Sequence, residues 1–180
     1  LTVPIDKSNG TAGMISQIKL RDTVSFADSL RNNLIWYKKN EKCVNWKLTH
    51  DLFLELIDKL KKNEYASLLD LIKASNKVIF DYLDLSKKYR SDVTHPHGYQ
   101  KTEQLIKIIN QNVKDNDITY LSGSGGRHYL DVDLMKQSNI RVKFQTISEK
   151  VYKGSVLDYL FLYEKDEILP IINKEFSWEK

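Results

Sequence analysis

The sequence predicts an α/β fold: a mixed or parallel sheet of few strands, with an N-terminal hairpin and a large helical middle section. Three observations carry this expectation. Apolar residues repeat at three-four spacing through residues 22–85, the period of helices that bury one face. Between residues 101 and 146 the pattern runs helix, strand, glycine turn, helix, strand, with a crossover long enough to join two parallel strands. With 41% hydrophobic residues, all 180 can fold around a real core as a single domain.

At the start, Leu1-Thr-Val-Pro-Ile5 and Ser16-Gln-Ile-Lys-Leu20 flank Ser8-Asn-Gly-Thr, which reads as strand, turn, strand. Pro4 has no N–H to give a ladder, so the first strand is an edge or ends early. Asp22 is placed to cap a helix bearing Ala27, Leu30, Leu34 and Tyr37. Phe53, Leu56, Ile57 and Leu60 define a second helix, starting near Thr49 or His50. Tyr65, Leu68, Ile72, Ile79 and Leu83 define a third, longer one. The segment from Leu85 to Gln100 lacks a period and reads as a loop.

Thr102 can then cap a helix carrying Leu105, Ile109 and Val113. Asp117-Ile-Thr-Tyr-Leu121 is β-branched and aromatic, a short buried strand that runs into Ser122-Gly-Ser-Gly-Gly126. A brief helix over residues 132–137 follows, capped by Asp131 and ended by Asn139, before Ile140, Val142 and Phe144 alternate as a strand. In the tail, residues 155–174 return to helix, with Ser155 and Asp158 spaced as a capping box. Pro170 should break or restart that tail near Asp166, and Tyr152, Tyr159, Tyr163 and Trp178 read as packing.

The 28 basic residues exceed the 24 acidic ones by four, and the charges are interspersed. That excess can attract a phosphate-bearing small molecule but gives no basic arm for nucleic acid. No apolar run reaches the roughly 18 residues of a membrane span, and no leader pattern opens the chain. Cys43, the single cysteine, allows no internal disulfide and suits a reducing compartment.

The strongest local signal is the turn after the 118–121 strand. Gly123, Gly125 and Gly126 can take positive φ and let a ligand reach the main chain. Ser122, Ser124 and Arg127 add hydroxyls and a guanidinium, and a following helix would aim free N–H groups at an anion. The spacing matches neither the dinucleotide-binding nor the Walker pattern, and a tight turn needing glycine for shape is the plainer alternative. Lys101 and Thr102, at a helix start, and Arg90 could assist with a phosphate or carboxylate, although an ordinary cap with solvated charges explains them as well. His95-Pro-His97 offers only two metal ligands, with Asp92 the nearby third, so a polar loop is the better reading and no metal is assigned.

At these residues the chain resembles the WbqC-like family. The opening Leu1-Thr-Val-Pro-Ile5 with Ile18-Lys-Leu20 is similar to the family's mid-protein strand pair, and Lys101-Thr-Glu-Gln-Leu105 to its Thr-Glu-x-Leu helix start. Thr119-Tyr-Leu-Ser-Gly123 with Gly125-Gly126 and Tyr129-Leu-Asp131 is similar to its Tyr-Leu-Ser-Gly-x-Gly-Gly-x-x-Tyr-Leu signature. Val156-Leu-Asp-Tyr-Leu160 resembles its late helix. The family's opening His-Gln-Pro-Asn segment is absent, so the resemblance implies one WbqC-like domain over residues 1–180 lacking an N-terminal piece. It further implies a cytoplasmic bacterial protein of O-antigen or lipopolysaccharide biosynthesis.

The activity implied is transfer of a glycyl or other acyl group onto a nucleotide-linked amino sugar, with small-molecule substrates and no assigned cofactor or oligomeric state. His128 is the best general-base candidate and Tyr129 is equally placed. The alternative is a non-catalytic ligand-binding or scaffold protein of a glycan-assembly cluster.

Overall fold

The computed structural model describes residues 2–6, 15–40, 42–86, 101–147 and 155–178. The chain divides into two compact units, one of residues 1–89 with 154–169, the other of residues 90–153 with 170–180.

The first unit is helical. α1 (Thr23–Trp36) opens on Asp22, whose Oδ1 accepts the Ser25 N–H at 3.4 Å. The apolar run expected to form one second helix is two short ones, α2 (Trp46–Leu52) and α3 (Leu54–Lys61), broken at Phe53. It also begins earlier than Thr49, which is buried and donates its hydroxyl to the Leu160 carbonyl at 2.9 Å. α4 (Leu68–Tyr82) is capped by the Ser67 hydroxyl, which accepts the Asp70 N–H at 3.2 Å and leaves Tyr65 outside the helix. Ala27, Leu34, Ile57, Leu60, Leu160 and Phe161 are all but sealed from solvent and form the centre of this unit. Burying each large aliphatic or aromatic side chain contributes about 1.5–3 kcal/mol.

The expected hairpin survives as one antiparallel bridge, Ile5 to Leu20. Backbone bonds flank it, from Asp6 N–H to the Lys19 carbonyl and from Arg21 N–H to the Pro4 carbonyl. Residues 15–17 form a 3₁₀ turn instead of strand, and the Ile18 carbonyl accepts the Leu68 N–H at the start of α4. A carbonyl already engaged by a helix start does not extend a ladder, which limits the strand.

α7 (Val156–Leu162) begins with the expected capping box: Ser155 N–H donates to Asp158 Oδ2 at 2.6 Å, and Ser155 Oγ accepts the Leu157 N–H at 3.3 Å. Asp158 Oδ1 also accepts the Tyr37 hydroxyl at 2.7 Å, and the Tyr37 ring stacks on Phe161. Tyr163 is extended (φ −128°, ψ 153°) and breaks the tail before α8 (Lys165–Glu175). The tail thus restarts beside Asp166, as expected, but Pro170 lies inside α8 and does not itself set the break.

The second unit holds the sheet, in the order β1-β2-β3. α5 (Lys101–Asn112) leads to β1 (Ile118–Ser122); α6 (Val132–Gln137) crosses to β2 (Ile140–Ile147). β1 and β2 are parallel, Ile118 opposite Ile140 and Ser122 opposite Phe144. β3 (Phe176–Trp178) adds antiparallel to β2, so the sheet is mixed. The pattern of the tail gave no sign of this strand. Met135 and Ile140 centre the core with Ile106, and Ile109, Ile118, Tyr120, Leu134 and Val142 pack around it. β1 is only half buried, with Leu121 exposed.

Candidate functional site

The glycine turn leaves the carboxyl end of β1, the end at which open α/β sheets collect ligands. Gly123 is extended (φ −60°, ψ 158°), and residues Ser124–His128 then coil into a short 3₁₀ helix. None of the three glycines adopts positive φ, so left-handed backbone is not the reason for them. The Gly126 N–H donates to the Gly123 carbonyl at 2.9 Å, and the Tyr129 and Leu130 N–H groups donate to the Gly126 carbonyl at 3.2 and 2.9 Å. These amides hold the turn together and are not free for an anion.

The glycines play different parts. A Cβ at Gly126 would sit 2.0 Å from Ser122 Oγ and 3.1 Å from Leu130 Cδ1. Ser122 is itself buried, its hydroxyl donating to the Gly123 carbonyl at 3.2 Å. Packing therefore demands glycine at 126. At Gly123 and Gly125 a Cβ would meet nothing within 4 Å. Neither backbone angle nor packing requires glycine at those two positions, and open space lies over both.

The turn itself carries polar groups. The Arg127 guanidinium carbon lies 4.5 Å from the centroid of the Phe144 ring, opposite Ser122 in register, a cation–π arrangement that places a planar cation beside the turn. Ser124, His128 and Tyr129 are exposed. Burial, and then the neighbouring Tyr129, push the Tyr120 hydroxyl above its ordinary 10.0. Asp131 ends the turn by capping α6, its Oδ1 accepting the Leu134 N–H at 2.9 Å.

Thr102 comes to the same place from α5. It is buried, and its Oγ1 accepts the Asp131 N–H at 2.9 Å. That tie spans 29 residues of sequence, and no local pattern announces it. Thr102 sits inside the first turn of α5, with Lys101 exposed beside it. Arg90 and the Asp92, His95 and His97 group lie outside the described residues. Among the described residues no cluster of three His, Cys, Asp or Glu side chains could hold a metal ion.

A small mixed α/β sheet thus carries, at the carboxyl end of its parallel strand, a glycine-rich turn with two positions open to solvent. The chain belongs to the WbqC-like protein family, whose model matches residues 1–168. No curated protein and no solved structure matches it.

Proposed function

We propose that the turn over residues 122–127 binds the phosphate or carboxylate of a small molecule, and that the chain acts as one WbqC-like domain in surface-polysaccharide biosynthesis. Membership of the family fits a role related to polysaccharide biosynthesis. The observation that carries the site is the pair Gly123 and Gly125, which are glycine without any demand from the fold. A ligand lying against the main chain supplies the missing reason. Ser122, Ser124 and Arg127 are the polar partners, with Lys101 and Thr102 at the start of α5 and Arg90 assisting.

The reaction proposed is transfer of a glycyl or other acyl group onto the amine of a nucleotide-linked amino sugar. The amine attacks the acyl carbon, the donor's leaving group departs, and a base takes the amine proton; His128 or Tyr129 fills that role. Nucleotide sugars are cytoplasmic substrates, and this reading places the protein with them. Among the described residues no helix is long and apolar enough to cross a membrane.

Calorimetric titration with a nucleotide-linked amino sugar, and separately with an acyl donor, tests the reading. Gly125→Ala should fold normally yet lose at least tenfold in affinity, and Arg127→Ala should lose as much. Unchanged binding in both variants sinks the proposal.

A second reading, a ligand-binding or scaffold protein without turnover, is favoured by one observation. Among the described residues no side-chain hydrogen bond orients His128 or Tyr129, whereas general bases are normally held in place by a partner. Product formation by purified protein, abolished by variants of the turn, would count against it.

A further inference from the structure

A concavity lies in the helical unit, where α1 ends and its 3₁₀ continuation over Tyr37–Lys39 leads toward α2. Trp36, Lys39, Asn40 and Lys42 line a cavity of ≈ 460 Å³, inside the roughly 300–1,000 Å³ range of small-molecule sites. Trp36 is 62% exposed, unusual for the largest apolar side chain on a helix end. The fold makes little use of it: among the described residues its aromatic neighbour is Tyr37, edge-on at 5.6 Å. None of the ion pairs among the described residues involves Lys39 or Lys42. Asn40 Oδ1 accepts the Lys42 N–H at 3.1 Å, which fixes the carboxamide and turns its NH₂ away from that bond. From Trp36 to Lys47 the sequence carries four lysines and one acid, Glu41, whose placement lies outside the described residues.

We propose that this concavity binds a sugar ring bearing an anionic substituent, a phosphate or a carboxylate. The indole offers a broad flat face for the C–H side of a pyranose. The Asn40 amide offers donors for a ring hydroxyl. The two ammonium groups attract the anion as point charges, without the fixed geometry of arginine. A purely apolar ligand would leave both lysines unused, and a bare anion would leave Trp36 exposed. The site does not depend on the glycine turn or on any transferase activity.

Calorimetry on the whole chain with glucose 1-phosphate, glucuronate, glucose, inorganic phosphate and uridine monophosphate tests it. Glucose 1-phosphate or glucuronate should bind at least tenfold more tightly than glucose or phosphate alone; comparing these two tells phosphate from carboxylate. Trp36→Ala and Lys39→Gln/Lys42→Gln should each weaken that binding tenfold or more, and the binding should persist in Arg127→Ala. Circular dichroism of each variant should match the parent, since the altered side chains are exposed. Equal binding of inorganic phosphate, tighter binding of uridine monophosphate, or affinity indifferent to Trp36 and to the lysines would overturn the proposal. Loss of binding in Arg127→Ala would assign the titration to the turn and overturn it too.

Discussion

One added carbon separates the roles of neighbouring glycines. At Gly126 it would stand 2.0 Å from the Ser122 hydroxyl oxygen, inside van der Waals contact, with Leu130 closing the other side. Ser122 is in a paired strand and buried, so its Cβ, 3.2 Å from the added carbon, stays in place even if the hydroxyl rotates. Overpacking of this kind costs about 1–3 kcal/mol, and Gly126→Ala should lose that much in urea denaturation. Adding Ser122→Ala removes the clashing oxygen and leaves its Cβ at 3.2 Å, so the double variant should be more stable than Gly126→Ala alone. Gly125→Ala, facing open space, should stay within about 1 kcal/mol of the parent. A Gly126→Ala protein as stable as the parent would show that the turn relaxes and that Ser122 does not constrain it. The motif's glycine content was plain in the sequence. Which glycine serves packing and which leaves room depends on where Ser122 points, and that is fixed only once β1 pairs with β2.

Elements with their own local signals were the legible ones. α6 lies at residues 132–137 as expected because Asp131 caps it and Asn139, at φ 60°, ends it. The same holds for Asp22 at α1 and for Ser155 with Asp158 at α7. Elements defined by distant partners were not legible. β3 is three residues long and exists through its pairing with Gln145–Ile147. The break at Phe53 and the place of Pro170 inside α8 likewise leave no mark in the three-four period. The tie from Thr102 to Asp131 belongs to this second class and makes a prediction. It secures the start of α5 to the cap of α6, on either side of β1. Thr102→Val keeps the shape and removes the acceptor, leaving the Asp131 N–H without its partner, at about 1–3 kcal/mol. Thr102→Ser should retain most of the stability. Hydrogen exchange should show the Asp131 amide losing protection in the valine variant alone. Equal protection in both would mean that packing, and not this bond, holds the elements.

At the scale of the whole molecule, stability against pH follows the groups that the described fold perturbs, five upward and two downward. Burial, and then the Asp158 charge, push the Cys43 thiol above its ordinary 9.0. Burial likewise pushes Tyr65, Tyr82 and Tyr120 above 10.0, and the hydrogen bond to Glu55 raises Lys59 above 10.5. In each case the folded chain holds its proton more tightly than the unfolded chain does. Stability from these groups is therefore complete below their ordinary values and is lost as pH rises through the folded ones. Glu55 and Asp81 shift the other way, held below 4.5 and 3.8 chiefly by hydrogen bonds to Lys59 and Lys77. Their contribution is present above those values and disappears as pH falls past them. Both carboxylates are on the surface, so the acid limb should be shallow and weaken further in salt. The alkaline limb should be the steeper, since Cys43 is buried, and should open near pH 9, where the thiol is the first of the raised groups to feel the change. Melting temperatures from pH 5 to pH 11 should be level through the middle and fall above 9. Cys43→Ala lowers the plateau slightly through lost packing but should move the start of the alkaline fall toward pH 10, where the tyrosines take over. Parent and variant falling from the same pH would show that the thiol carries no proton linkage, and that the tyrosines and Lys59 account for the limb alone.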